Sequence, residues 1–356
     1  MTDHSTASTP ASTADRTGAA EATAPATATA TATATAGPNV PAPAAGDFLV
    51  IGESVADIVR TPGRADATHP GGSPANVAYG LARLGRRAVL LTQLGEDPEG
   101  ALIGAHLRSA GVEVLTDRQV GVRTPTAVVT LDAQGRARYA FDISWTLRPV
   151  VLPAVAPRHV HLGSIAAVQD PGAAAALALV ERLRPAASVS YDPNVRADLL
   201  GPRTEVIPRV ERCVALSDVV KASDEDLDWL YPGVGHREIA ARWLALGTAL
   251  VLVTRGGDGA VALTRSGRAE TAAAPATVVD TVGAGDSFMS AALDALAGPG
   301  LLGAPARSAL AALDTPALAR LLHHASTAAA ITVSRAGANP PDARELRERL
   351  SAAAPA

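Results

Sequence analysis

From residue 47 onward, short apolar runs alternate with amphipathic stretches, and this alternation restricts the fold more than any other property of the chain. "DFLVIG", "RAVLLTQL", "RHVHLG", "ASVSYD", "DVVKAS" and "ALVLVT" have the length and composition of strands. Between them, "PANVAYGLARLG", "PEGALIGAHLRSAG", "PGAAAALALVERLR" and "HREIAARWLALG" carry helical spacing and mostly end in Gly or before Pro. Strands that alternate with helices build βαβ units. The expected class is α/β, with a mainly parallel sheet flanked by helices and ligands bound at the carboxyl ends of the strands.

Three segments stand outside this alternation. Residues 1–46 are Ala, Thr, Ser and Pro without apolar periodicity, and they cannot bury enough surface to offset the entropy of ordering; a disordered tail is expected. They lack the basic start and Leu/Val-rich core of a signal peptide. Residues 124–143, "TPTAVVTLDAQGRARYAFDI", read as two strands about an Asp-Ala-Gln-Gly turn, a hairpin that is either a lid over the site or an edge of the main sheet. The C-terminal third reads as mostly helical, the domain is expected over 47–346, and 347–356 is expected to be a tail.

Charge and composition exclude several function classes. A formal net charge of -4 supplies no field for nucleic acid, and no basic run marks a membrane surface. No uninterrupted apolar stretch is long enough to span a bilayer. The single cysteine, Cys213, excludes an internal disulfide and points to a reducing, cytoplasmic setting. The single lysine, Lys221, lies in "VVKAS", outside any P-loop context, so phosphate handling is expected to fall to backbone amides, arginine or a metal.

Glycine turns supply such amides. In "VVDTVGAGDSFMSAALDAL", Gly283, Ala284 and Gly285 lead into a helix, where free amides and the peptide dipoles attract anions. The adjoining Asp286 is equally a good N-cap residue when taken alone. "HPGGSPANVAYGLARLG" is a second glycine-rich helix entry and "LVTRGGDGA" a third glycine turn, directly after a buried strand. "VIGESVADIV" lacks the Gly-x-Gly-x-x-Gly of a dinucleotide-binding dehydrogenase.

The pair "GGSPANVAYGLARLG...LTQLG" and "DTVGAGDSFMSAAL" resembles the two signatures of the PfkB, or ribokinase-like, carbohydrate kinases, and the resemblance runs over residues 47–346. It implies a ribokinase-like three-layer fold with a small β lid, which in parts of the family pairs with its copy in a homodimer. It also implies phosphoryl transfer from ATP, with Mg2+, to a sugar hydroxyl. Asp286 matches the family's catalytic base, and Gly283, Ala284 and Gly285 match its anion hole. Asp57, Gly71, Gly72, Asn76 and Arg196 match sugar-side positions. Asn194, Ser223, Thr254, Gly256, Gly259 and Ser326 match the ATP side.

Where the family usually carries Asn-x-x-Glu, this chain has Ser223 and Asp226. Glu225 or Asp226 is then the carboxylate that would organise magnesium through water, although Ser-x-x-Asp is also a plain capping box. Asp280 and Thr281, with the loop "SRAGANPP", resemble a potassium site. "HLGSIAAVQDP", "YDPNVR" and "KASDEDLDWL" are similar to the fructokinase branch, and "YAF" in the hairpin lacks the arginine that acid-sugar kinases use. A neutral hexose, fructose, is therefore the expected substrate, with 2-keto-3-deoxygluconate kinase, ribokinase and nucleoside kinase as alternatives and an inactive sugar-binding regulator as a remote one.

Overall fold

The computed structural model describes residues 48–352 apart from 62, 64, 117–120, 132–136 and 148–155, so the expected N-terminal tail lies outside the described residues. Its strands are β1 (Phe48–Ile51), β2 (Val55–Arg60), β3 (Ala67–Gly71), β4 (Ala88–Thr92), β5 (Glu113–Thr116), β6 (Thr126–Leu131), β7 (Ala137–Asp142), β8 (His159–Gly163), β9 (Ser188–Asp192), β10 (Val219–Ser223), β11 (Leu250–Thr254), β12 (Ala260–Leu263) and β13 (Arg268–Thr271). Its helices are α1 (Ser73–Arg83), α2 (Pro98–Ser109), α3 (Gly172–Leu183), α4 (Arg203–Leu216), α5 (Asp224–Leu230), α6 (His236–Ala245), α7 (Ala284–Ala297), α8 (Arg307–Ala311), α9 (Thr315–Val333) and α10 (Ala343–Ala352).

The strands form a main sheet in the order β13-β12-β11-β10-β9-β8-β1-β4-β5 and a second sheet in the order β3-β2-β6-β7. In the main sheet the pairings from β11 to β5 are parallel, and β12 and β13 complete it as antiparallel strands. All six apolar runs singled out in the sequence are strands of this sheet. They read as continuous hydrophobic segments because helices cover both faces.

Within each run the side chains still alternate between two cores. Phe48 and Val50 of β1 pack into the core built with α1, α7 and α9, whereas Leu49 and Ile51 pack into the core built with α3, α4, α5 and α6. The result is three layers.

The expected hairpin is β6 paired with β7, and it belongs to the second sheet through a parallel β2–β6 pairing rather than to an edge of the main one. Trp145, just beyond it, is 1% exposed and packs over Gly172, where a Cβ would collide with the indole. The helix α10 runs through Ala352, so residue 346 falls inside it and the expected tail is helical over its first residues.

Local signals explain the helix starts. Asp97 caps α2 by accepting from Gly100 N at 2.8 Å, and Asp314 caps α9 by accepting from Ala317 N at 2.9 Å, with Pro98 and Pro316 in the first turns.

Candidate active site

A cleft of about 1130 Å³ lies between the carboxyl ends of β8 to β11 and the second sheet. The predicted Asp57, Gly72, Asn76, Asn194 and Arg196 line it, as do Ser223, Glu225, Asp226, Thr254, Gly256 and Gly259. Thr281, the turn 283–286 and Ser326 complete that set. Gly71 and Asp280 are not among its lining residues.

At the centre is the start of α7. Gly283 takes a left-handed φ of 75°, which turns the chain into the helix, and a Cβ there would sit 2.6 Å from Ala338 Cβ. Asp286 does not cap its own helix. Its Oδ1 accepts from Ser73 Oγ at 2.6 Å and its Oδ2 from Asn76 Nδ2 at 2.8 Å, both donors coming from the first turn of α1.

Asn76, expected on the sugar, is therefore a partner of Asp286. The N–H groups of Gly283, Gly285 and Asp286 make no hydrogen bond among the described residues, whereas that of Ala284 donates to Thr281 O at 3.2 Å. Of the expected turn, Ala284 N–H is engaged, and the amides of Gly283, Gly285 and Asp286 stand without a partner among the described residues.

Lys221, outside any P-loop context in the sequence, is a residue of this cleft. It lines the cleft at 4% exposure, and its Nζ donates to Asp192 Oδ2 at 2.6 Å. Burial alone would lower its pKa, but Asp192, Asp226 and Asp286 outweigh burial and raise it, so the ammonium stays charged. Arg196, the expected cation, is exposed, and its Nη1 donates to the carbonyls of Asn194 and Val195 at 3.4 and 3.0 Å.

Asp226 completes a capping box. Its N–H donates to Ser223 Oγ at 3.0 Å, its Oδ2 accepts from Ser223 N at 2.8 Å, and its Oδ1 accepts from Val195 N at 2.7 Å. The carboxylate ties the loop after β9 to α5 and has no oxygen left without a partner. Of the two acids expected near a metal, Glu225 is the exposed one in the cleft. No group of three His, Cys, Asp or Glu that could cage a metal occurs among the described residues.

On the other side, Asp57 stands on β2 at a position where a Cβ on Gly71 would collide with its Oδ2, so Gly71 makes room for the carboxylate. Gly72, at φ 99°, passes so close to Glu53 that a Cβ would lie 2.6 Å from its carbonyl oxygen. Glu53 itself went unnoticed in the sequence; it is buried, lines the cleft, and accepts from Ala166 N at 3.2 Å. Among the described residues, Ser164 (φ 62°) and Asn194 (φ 37°), both cleft residues, are the non-glycine residues with left-handed backbone, a strain that clusters at functional sites.

Burial pushes Glu53 up to about 7, against hydrogen bonds that lower it, and pushes Asp57 up to about 6, against the charges of His69 and Arg196. A carboxyl whose folded pKa exceeds its unfolded value stabilises the fold below that unfolded value and loses the contribution as pH rises through the folded pKa. For Asp57 the window runs from 3.8 to about 6. Asp57→Asn is therefore expected to raise the stability of the ligand-free protein at pH 8 by about 1 to 2 kcal/mol, screened down from the full shift. Paired thermal melts at pH 3.5 and pH 8 check it, because the gain must vanish at the lower pH.

The remaining predicted residues come from the turn after β11, from α9 and from the segment before α7. Gly256 and Gly259 take φ 48° and 92°, and a Cβ on Gly259 would collide with Thr271 O, so the turn after β11 requires glycine there. Val278 and Val282, 63% and 51% exposed, line the cleft and add apolar surface to its wall. Asp280 accepts from Val282 N at 3.0 Å and from Gly337 N at 2.8 Å, which brings the loop 334–341 beside the turn.

A family model described as pfkB family carbohydrate kinase matches residues 46–344. The chain belongs to this family. Its carbohydrate kinase domain is similar to a fructokinase of Rhizobium leguminosarum bv. trifolii, with 32% identity over 281 residues, 76% of this chain and 85% of that protein. Among solved structures, a fructokinase with bound ATP from Xylella fastidiosa superposes with a TM-score of 0.72 at 25% identity, covering 86% of this chain and 98% of the other. An aminoimidazole riboside kinase from Salmonella enterica, complexed with aminoimidazole riboside and an ATP analogue, gives a TM-score of 0.69 at 25% identity over 86% and 100% of the two chains. No helix among the described residues of this carbohydrate kinase is long and apolar enough to cross a membrane.

Proposed function

We propose that this carbohydrate kinase is an ATP-dependent fructokinase. The observation that carries the chemistry is the Asp286 carboxylate, held by Ser73 and Asn76 beside the free amides of Gly285 and Asp286. Each carboxylate oxygen retains a lone pair after those two bonds. One of them accepts the proton of the attacking sugar hydroxyl as that oxygen bonds to the γ-phosphorus. The bond from phosphorus to the β–γ bridging oxygen breaks, and its electron pair leaves with ADP.

The amides at the start of α7 face the charge that develops on the transferred group, which is why a fixed negative side chain and an anion site coexist in one turn. Asp57 offers carboxylate oxygens to sugar hydroxyls, and Asn194 offers its amide on the ATP side. The β6–β7 hairpin acts as the lid above them. Thr254, Gly256, Gly259 and Ser326, with Val278 and Val282, receive the nucleotide.

Glu225 fits a metal that keeps most of its water and takes its other ligands from phosphate, as Mg2+ does; bound there, it would neutralise phosphate charge. Support for fructose comes from the similarity to fructokinases and from the neutral "YAF" segment. ADP release with Mg-ATP is expected with fructose, against ribose, 2-keto-3-deoxygluconate and aminoimidazole riboside as competitors. Selective turnover of the riboside would replace the substrate and leave the chemistry standing.

Two further outcomes follow. Since hydroxyl binding requires ionised Asp57, the KM for fructose is expected to rise as pH falls through about 6, and initial rates between pH 5 and pH 8 test this. Asp280, anchored to Gly337 N, supports a potassium site at the 334–341 loop. Turnover in potassium chloride is expected to exceed that in choline chloride, and equal rates would remove the site.

A further inference from the structure

Among the residues lining the cleft, acids outnumber cations: Glu53, Asp57, Asp224, Glu225, Asp226 and Asp286 face Arg196 and Lys221. A γ-phosphoryl group brought into such a site needs a fixed positive charge near the turn that receives it. Arg196 is exposed and donates to carbonyls of its own loop. Lys221 is placed differently. The alternation of β10 puts Val219 and Lys221 on the sheet face that packs against α1 and α7, and a Cβ added to Gly285 would lie 3.1 Å from Lys221 Nζ.

The ammonium therefore stands directly over the anion-binding turn, and glycine at 285 is what leaves it that position. Its orientation is fixed from behind. Asp192, 0% exposed, takes one of its three N–H groups at 2.6 Å and receives Asn194 N on its other oxygen at 3.2 Å. The Lys221 ammonium makes no other hydrogen bond among the described residues, so two donors of a buried, cleft-lining ammonium are left over.

We propose that Lys221 is a catalytic residue of this kinase, the fixed cation that contacts the transferred phosphoryl group, and that Asp192 is its positioning residue. The inference rests on the kinase reading above. Lys221 keeps its protons throughout. The sugar hydroxyl gives its proton to Asp286, the O–P bond forms, and the bond to the bridging oxygen breaks toward ADP while the ammonium offsets charge on the equatorial oxygens. A lysine that served only to neutralise Asp192 would be replaceable, together with it, by a neutral pair at no cost to turnover.

That contrast sets the experiment. Lys221→Met alone leaves a carboxylate buried without a cation, so it is made alongside the double variant Lys221→Met/Asp192→Asn. For both, kcat and KM are measured with Mg-ATP and fructose, and calorimetric titrations compare ADP alone with ADP plus aluminium fluoride, a mimic of the phosphoryl group in transfer.

In both variants kcat is expected to fall by about 10²- to 10³-fold, as when one transition-state donor is removed. The KM values and ADP affinity should change little, and the gain in ADP affinity on adding fluoride should be lost. A double variant with kcat within about threefold of the parent, or with the fluoride gain intact, would overturn the proposal, since a merely structural pair would move neither. A double variant that does not fold would assign the pair to the scaffold and overturn it as well. A parent protein that turns over no sugar would instead remove the kinase reading, and a fluoride gain that depends on Lys221 would still stand as support for its contact with the transferred group.

Discussion

Asp286→Ala is expected to lower kcat with fructose by about 10²- to 10⁴-fold, the range a positioned general base contributes. The KM values for fructose and ATP should change far less, because the side chain acts on the proton in transit rather than on bound ground states. Stability should hold, since the residue does not cap α7 and its two partners, Ser73 Oγ and Asn76 Nδ2, face a cleft where water can replace it. Steady-state kinetics with a parallel thermal melt separate these effects. A variant that loses KM and retains kcat would make Asp286 a binding group and move the base elsewhere.

The largest expected effect on stability lies far from the cleft, at Arg307. Its Nε donates to Asp218 Oδ1 at 2.7 Å, and its Nη2 donates to the carbonyls of Arg184 and Ala187 at 2.6 and 2.7 Å. Asp218 is 2% exposed; its other carboxylate oxygen accepts from Val189 N at 2.8 Å, and its backbone carbonyl accepts from Ala249 N and Leu250 N. One arginine thus joins the start of α8, the end of α3 and the entries of β9, β10 and β11.

Arg307→Ala would leave a buried carboxylate without a counter-charge and two carbonyls without donors. Breaking a buried pair in this way costs about 3 kcal/mol or more. For a domain of this size that is a fall in Tm on the order of 10 °C. Differential scanning calorimetry reads it, and a change under about 2 °C would mean that water replaces the guanidinium. Kinetic constants at 25 °C should be unaffected, because no atom of this network lines the cleft.

The alternation of apolar runs gave the central sheet and its flanking helices directly, since a parallel strand buried on both faces leaves an unbroken hydrophobic segment. The second sheet was only half legible. The β6–β7 hairpin announces itself by its turn, but β3 is "ATHPG", whose Pro70 and glycine read as a loop; as an edge strand it tolerates a proline. The four-residue strands β12 and β13 are too short to carry a period.

At the site, the motif residues other than Gly71 and Asp280 line one cleft, but their partnerships were not written in the motifs. Asn76 was expected on the sugar and bonds Asp286, a contact across 210 positions of sequence that only packing of α1 on α7 creates. Asp226 carries two possible roles in sequence, and the capping box with its extra bond to Val195 N takes the carboxylate. Lys221 was dismissed because it lacks a P-loop. A lone lysine in a buried strand does carry a signal, since an ammonium is not buried there without a partner, and "SVSYD" on the neighbouring strand ends in the acid it pairs with.

The central claim is that this chain moves the γ-phosphoryl group of ATP to fructose. The most direct test is phosphorus NMR of the purified protein with Mg-ATP and fructose, followed in time. Loss of the ATP γ resonance is expected to be matched by growth of a sugar phosphomonoester and of ADP, with neither change in the Asp286→Ala sample. ATP that stays intact, or that yields ADP and inorganic phosphate without a new ester, would contradict the account.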